Sequence, residues 1–397
     1  GSNGLADGDR ITTGTGTDTI KFKNTTTTNI VAVADLDDIS GVLKFMTMDA
    51  DGAATNTEED ISLTFSTITE GTIQAVTVDF SANTDSNDDA TVDASAGTAT
   101  TTFTITTGAG ADIVTGGAGR DTITTGSGVD TILAGAGIDI VDAGAGNDII
   151  QSLSADLLGL DTITGGAGTD VLSITDASTV IDDDFTSMTS VETMSMAAAA
   201  HTVTLGASAK ATGIATYTGN SGVDTVTLGA GFTKSATITL AAGADIIDLS
   251  GYASGYTATV TSSGGAVGVT LGLGTEALTG SSDVETITLG VSGALAATDT
   301  LTLSTGTDIL NISVAQTVTD AAFTLVTGLV NITMGNVAVN LTAGTLAEAA
   351  GVASIVTGNA VNTVDASGRS TTALIITGGT GVDTLTGGDG IDTITGN

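Results

Sequence analysis

Residues 107–151 read TGAGADIVT, GGAGRDTIT, TGSGVDTIL, AGAGIDIVD and AGAGNDIIQ, five consecutive nine-residue units starting at Thr107, Gly116, Thr125, Ala134 and Ala143. Each has Gly at positions two and four, Asp at six and an aliphatic residue at eight. A short fixed period is read before any secondary structure, because it describes a chain that stacks upon itself. Glycine at two and four permits positive φ and close backbone approach, so that carbonyl oxygens can converge on an ion. Asp at six adds an anionic oxygen. Positions seven to nine make a short strand, and the side chain at eight is the one that must be buried. The candidate cation-binding residues of this tract are Gly108, Gly110 and Asp112, then Gly117, Gly119 and Asp121, Gly126, Gly128 and Asp130, Gly135, Gly137 and Asp139, and Gly144, Gly146 and Asp148.

Outward from the tract, single copies stand at 13–21 (TGTGTDTIK) and 165–173 (GGAGTDVLS), adding Asp18 and Asp170. Two more run together at 378–386 (GGTGVDTLT) and 387–395 (GGDGIDTIT), adding Gly379, Gly381, Asp383, Gly388, Gly390 and Asp392. The pattern resembles the RTX nonapeptide G-G-x-G-x-D-x-U-x, the haemolysin-type calcium-binding repeat. It departs from that pattern at the first Gly, which is often Thr or Ala here. The resemblance implies an all-β fold, a right-handed parallel β-roll or β-helix with Ca²⁺ in the Gly/Asp turns. It also implies two nonamers per coil, with an ion between aspartates eighteen apart: Asp112 with Asp130, Asp121 with Asp139, Asp130 with Asp148. Asp383 and Asp392, nine apart, are expected on opposite edges. The plainer reading of these aspartates is as turn caps bonded to the backbone.

Composition agrees with a cation-loaded β protein. Lys and Arg number 8 against 45 acids, for a net charge of −37. Seven of the acids are Glu and the remaining 38 are Asp, the shorter acid that reaches an ion or an amide from inside a tight bend. Such an excess repels itself unless counter-ions bind, and it offers no basic patch to nucleic acid. The 41% of hydrophobic residues argue against disorder. No apolar run is long enough to span a membrane. With no Cys, stapling by disulfides is excluded, and in an exported protein calcium would have to do that work. No cleavable leader is read in residues 1–10. Both ends read as cuts through repeats, the last at Gly396-Asn397, so the chain reads as a segment of a longer protein.

A longer repeat covers the rest. Asp170-Val-Leu-Ser-Ile returns as Asp308-Ile-Leu-Asn-Ile, and Val223-Asp-Thr-Val226 as Val361-Asn-Thr-Val364, both at an offset of 138 residues. Short strands separated by Gly, Asn and Asp turns are expected throughout. Residues 207–214 and 346–352 read as one or two helical turns, and 182–188 and 320–326 as short helices capped by their own Asp. Residues 29–103 read as a small sheet or an irregular coil. The expected divisions are 1–106 (an N-terminal β region), 107–175 (the calcium-binding roll), 176–298 (a solenoid segment) and 299–397 (its duplicate, ending in nonamers).

Tests for chemistry come out negative. His201, the one histidine, sits in a strand pattern and is expected to face solvent. With no Cys beside it, zinc is not indicated, and no nucleophile elbow or phosphate loop is present. Aromatics at 3% are too few to hold a sugar between carboxylates. No enzymatic activity is expected.

The Pro-free, Cys-free, Thr/Ala/Gly-rich composition and the segment Phe185-Thr-Ser-Met-Thr-Ser-Val-Glu-Thr-Met194 are similar to bacterial S-layer proteins. That resemblance implies type I secretion, folding on external calcium and self-association into a lattice on the cell surface. Any contact with cell-surface polysaccharide would fall to regions outside this sequence. The alternatives are a calcium-stiffened segment of a large RTX adhesin or biofilm-matrix protein, and the non-catalytic repeat domain of a secreted enzyme or toxin.

Overall fold

The computed structural model describes residues 17–23, 29–33, 41–48, 60–65, 73–157, 161–197 and 200–396. In the nonamer tract, positions seven to nine form the strands Ile113–Thr115, Thr122–Thr124, Thr131–Leu133 and Ile140–Asp142, followed by Ile149–Ser152. Consecutive strands belong to different sheets. Ile132 pairs in parallel with Val114 on one side and Ile150 on the other, while Ile123 pairs with Val141. Each step is eighteen residues, so two nonamers close one coil. Three-residue strands are too short to stand alone, and each is held by the strands stacked above and below it.

The position-eight residues meet between the sheets. Val114, Ile132, Ile150 and Leu172 form one buried column, and Ile105, Ile123, Val141 and Ile163 the other. Each such side chain contributes about 1.5–3 kcal/mol by leaving water. The same two sheets continue toward the N-terminus through Gly41–Met48, Ile73–Asp79 and Thr102–Thr106 on one side, and Ile61–Phe65 and Ala90–Asp93 on the other. Here registers such as Leu63 with Val92 make the coils longer than eighteen residues, and the wider interior takes rings. Phe65 lies 5.5 Å from Phe45, nearly perpendicular to it, and 5.3 Å from Phe103. The described part of 29–103 is therefore solenoid.

The chain divides into two compact units. The first comprises Gly1–Asp176, Asp183–Ser195 and Ala211–Ile214, and the second comprises the rest. The second unit is again parallel throughout. One of its sheets runs from Thr179–Val180 through His201–Leu205, Asp224–Leu228 and Ile246–Asp248 to Ile375–Thr377 and Thr393–Thr395. A facing row holds Thr216–Thr218, Ala236–Leu240, Thr257–Ser262, Thr275–Thr279, Thr300–Thr302 and Val326–Thr327. As that row ends, a third sheet starts at Gln316–Val318 and continues through Val339–Thr342 and Thr363–Asp365 to Thr384–Thr386.

The 138-residue repeat is visible as structure. The 3₁₀ turns Asp182–Phe185 and Asp320–Phe323 and the α-helices Ala207–Thr212 and Thr345–Ala350 occupy equivalent places. The structure corrects the expected capping: the Asp320–Phe323 turn has no side-chain cap, and both aspartates reach forward instead. Asp182 accepts the amides of Gly206 at 2.7 Å and Ala209 at 3.0 Å, and Asp320 those of Leu346 at 3.1 Å and Ala347 at 3.0 Å. Each carboxylate thus caps the helix one coil later, where free amides and the positive end of the dipole meet it.

Candidate metal centres

A residue at position six of a nonamer enters its strand at the edge of the coil, with its side chain turned inward. The Oδ1 atom of Asp130 accepts the backbone N–H of Asp112 at 2.8 Å, and Asp148 and Asp170 do the same for Asp130 and Asp148, each at 2.9 Å. Asp112 accepts from Ala90 at 2.7 Å. On the opposite edge Asp139 accepts from Asp121 at 2.7 Å and Asp121 from Phe103 at 2.8 Å. Every carboxylate is therefore tied to the coil before its own, in two ladders, and the aspartates expected to pair are the ones that meet.

The second oxygen differs from site to site. Gly117 donates to Oδ2 of Asp121. The Oδ2 atoms of Asp112, Asp130, Asp139, Asp148 and Asp170 are buried without any hydrogen-bond partner. Desolvating a charged oxygen without a partner is strongly unfavourable. Burial accordingly pushes the carboxyls of Asp112, Asp121 and Asp148 up to about 6 and that of Asp139 up to about 7, and raises Asp130 and Asp170 as well. A hard divalent cation is the group that such orphaned oxygens suit.

Among the described residues no three Asp, Glu, His or Cys side chains converge on one point, so an ion here needs backbone carbonyls as well. The glycines place them. A Cβ on Gly126 or Gly128 would strike the carbonyl oxygen of Gly108 or Gly110, and one on Gly144 or Gly146 that of Gly126 or Gly128. Gly135 and Gly137 stand in the same way over Gly117 and Gly119. Carbonyls at positions two and four thus face the next coil at the edge where the aspartates line up. The position-two carbonyls of Gly108, Gly126 and Gly144 also accept coil-to-coil N–H bonds, from Ser127, Ala145 and Ala167. With φ of +148° at Gly128 and +158° at Gly146, no other residue suits these turns.

The family described as the RTX calcium-binding nonapeptide repeat matches the chain in four copies, at residues 104–132, 124–154, 157–173 and 376–397. These segments are RTX repeats. They bind calcium, and the β-solenoid they build is a structural fold. Comparison with curated proteins finds no match.

The C-terminal RTX repeats differ from the first tract. Asp383 accepts from the Asn362 amide at 3.0 Å and the Thr357 hydroxyl at 2.9 Å; Asp392 accepts from Leu374 at 2.9 Å and Gly388 at 2.7 Å. All four carboxylate oxygens are occupied and both side chains are half-exposed. Their strands lie in different sheets, as the nine-residue spacing anticipated. Gly379 and Gly381 pack over Gly358 and Ala360, and Gly388 and Gly390 over Arg369 and Thr372. The backbone of Asp18 pairs with Leu43; its side chain and residues 13–16 lie outside the described residues.

Two members of the ladders escaped the sequence reading. Asp161 accepts the Asp139 amide at 2.8 Å, and Glu192 that of Asp170 at 2.9 Å. The usable signal was the tail of the nonamer, Asp161-Thr-Ile-Thr behind a single glycine at position four (Gly159), and Glu192-Thr-Met with no glycine ahead of it. His201 is a correction. It is 3% exposed rather than solvent-facing, with Nε2 2.9 Å from the Ala197 carbonyl. Residue 201 begins its strand on the inward-facing phase, and Val203 and Leu205 follow it into the core. Among the described residues no helix is long and apolar enough to cross a membrane.

Proposed function

We propose that this chain is part of a secreted structural protein that calcium rigidifies and assembles into a two-dimensional array on a bacterial surface. Calcium ions sit at the coil edges, held by Asp112, Asp121, Asp130, Asp139, Asp148 and Asp170, by the position-two and position-four glycine carbonyls beside them, and by Asp18, Asp383 and Asp392 in the remaining copies. The observation that carries this reading is the recurrence of one buried, unpartnered carboxylate oxygen on successive coils. Neutralising those oxygens lets the coils close, and a net charge of −37 leaves acid on the surface for further calcium to bridge between molecules. Export by a type I system fits a chain that completes its fold only where calcium is plentiful.

Electron microscopy of the purified chain, with calcium and with EDTA, tests this. Ordered sheets that form with calcium and dissolve on chelation are expected. Calcium-bound particles that remain single at every concentration would replace the array with an adhesin-type spacer.

A further inference from the structure

The orphaned carboxylate oxygen does not stop where the RTX repeats stop. In the second unit, outside every matched segment, Asp245 accepts the Asp224 amide at 2.9 Å, Asp299 that of Glu276 at 3.1 Å, and Asp308 that of Glu285 at 2.8 Å. These residues are 21 to 23 apart in sequence and one coil apart in space, bonded as Asp130 is to Asp112. All six side chains are at most 1% exposed. Buried without a partner are Oδ1 of Asp224, Oδ2 of Asp245, both carboxylate oxygens of Glu276, Oε2 of Glu285 and Oδ2 of Asp308. The amides of Gly272 and Gly274 and the Asp299 carboxyl approach Glu276, and the Asp308 carboxyl approaches Glu285, without closing a hydrogen bond to the orphaned oxygens.

The frame of the nonamer persists at these places although its glycines have mostly gone. Two residues after the acids, Val226, Ile247, Leu278, Ile287, Leu301 and Leu310 take the buried position-eight place. Glu276 precedes Glu285 by nine residues, and Asp299 precedes Asp308 by nine, which puts one pair on each of two sheets. Two facing carboxylates in an apolar interior cannot both stay ionised unaided. Either they share a proton or a cation lies with them, and at Asp224 the buried His201 ring is a further neighbour.

We propose that calcium-class divalent cations bind between successive coils at Asp224–Asp245, Glu276–Asp299 and Glu285–Asp308, extending the ion ladder beyond the RTX repeats. The inference rests on calcium being the ion of the matched repeats.

The chain carries its own reporter for these places. It has no Trp and three Tyr, none of them inside a matched segment. Tyr217 is buried beside Asp224 and Asp245, whose charges help burial raise its hydroxyl pKa. The Tyr252 ring and Oε1 of Glu276 flank the same point above Gly274. Terbium in place of calcium should therefore emit on tyrosine excitation. Tyr217→Phe and Tyr252→Phe, which remove no carboxylate, should each abolish a large share of that emission while the total calcium count by elemental analysis stays unchanged. Glu276→Gln combined with Asp299→Asn should lower the count by one ion, and Asp224→Asn combined with Asp245→Asn by another. Absence of tyrosine-excited emission, or an unchanged count in both amide variants, would show proton-sharing pairs and overturn the proposal. Should even the matched repeats take up no calcium, the wild-type count itself would be zero, a failure of the underlying reading that is distinct from this one.

Discussion

Asp130 touches two coils at once. Its Oδ1 holds the Asp112 amide, its own amide is held by Asp148, and its Oδ2 has no partner. Asp130→Ala removes one charged hydrogen bond and one oxygen from each of the two proposed ion sites, so a loss of about 1.5–3 kcal/mol is expected from the hydrogen bond alone. Asp142 occupies position nine with its side chain exposed, and Asp142→Ala should stay within about 0.5 kcal/mol. Calcium-loaded thermal melts of the two variants compare them; equal losses would remove Asp130 from the ladder. The same chemistry sets a pH dependence. Burial holds Asp112, Asp121, Asp139 and Asp148 at about 6 to 7, above their unfolded values. The stability from their protonated folded form is complete in acid and is lost as pH rises through that window. In EDTA the melting temperature should therefore fall between about pH 4 and pH 7, and saturating calcium should flatten the trend as the cation replaces the proton. A chelated protein that is more stable at the higher pH would contradict the burial of these carboxylates.

At the scale of elements, a strand of three residues owes its place to one inward side chain. Ile132 is fully buried between Val114 and Ile150, whereas Ile113, one residue before Val114, is half-exposed on the outer face. Ile132→Ala should cost about 2–5 kcal/mol by leaving a cavity, and Ile113→Ala far less; chemical denaturation with calcium present measures both. The short helices depend on a different element. Thr345–Ala350 has no side-chain cap of its own, and Asp320 reaches its first amides from the coil before. Asp320→Ala should cost about 0.5–2 kcal/mol, and Asp182→Ala the same for Ala207–Thr212. Hydrogen exchange should show the loss at the helix amides, and unchanged protection there would assign the contact no weight.

At the scale of a whole unit, a stack in which each coil meets only its neighbours gains stability layer by layer and can open locally. The coils between Gly41 and Thr106 hold the Phe45, Phe65 and Phe103 rings, whereas the eighteen-residue coils after them bury single aliphatic residues around charged edges. On chelation, amides of residues 107–173 should exchange first, and those of Ile61–Phe65 and Thr102–Thr106 should follow later. Simultaneous loss of protection in both would mean that calcium does not govern the nonamer tract separately.

The nonamer is legible because everything it needs is local. Glycine for the turn, Asp for the edge and an aliphatic for the core recur within nine residues, so the sequence by itself determined the turns, the strands and their buried positions, while the eighteen-residue step and the Asp112–Asp130–Asp148 alignment were what the RTX resemblance implied and the stacking displays. Only the stacking decided the rest. Asp161, Glu192 and the acids between Asp224 and Asp308 meet their partners 21 to 23 residues away, where loops of unequal length hide the period. His201 looks like an exposed strand residue and Arg369 like one scattered surface cation until neighbouring coils cover them, the guanidinium then donating to the Val352 carbonyl at 2.7 Å. A carboxylate's burial and the helix that Asp182 or Asp320 caps are set by the adjacent layer, and that layer is placed by the lengths of turns that carry no repeat of their own.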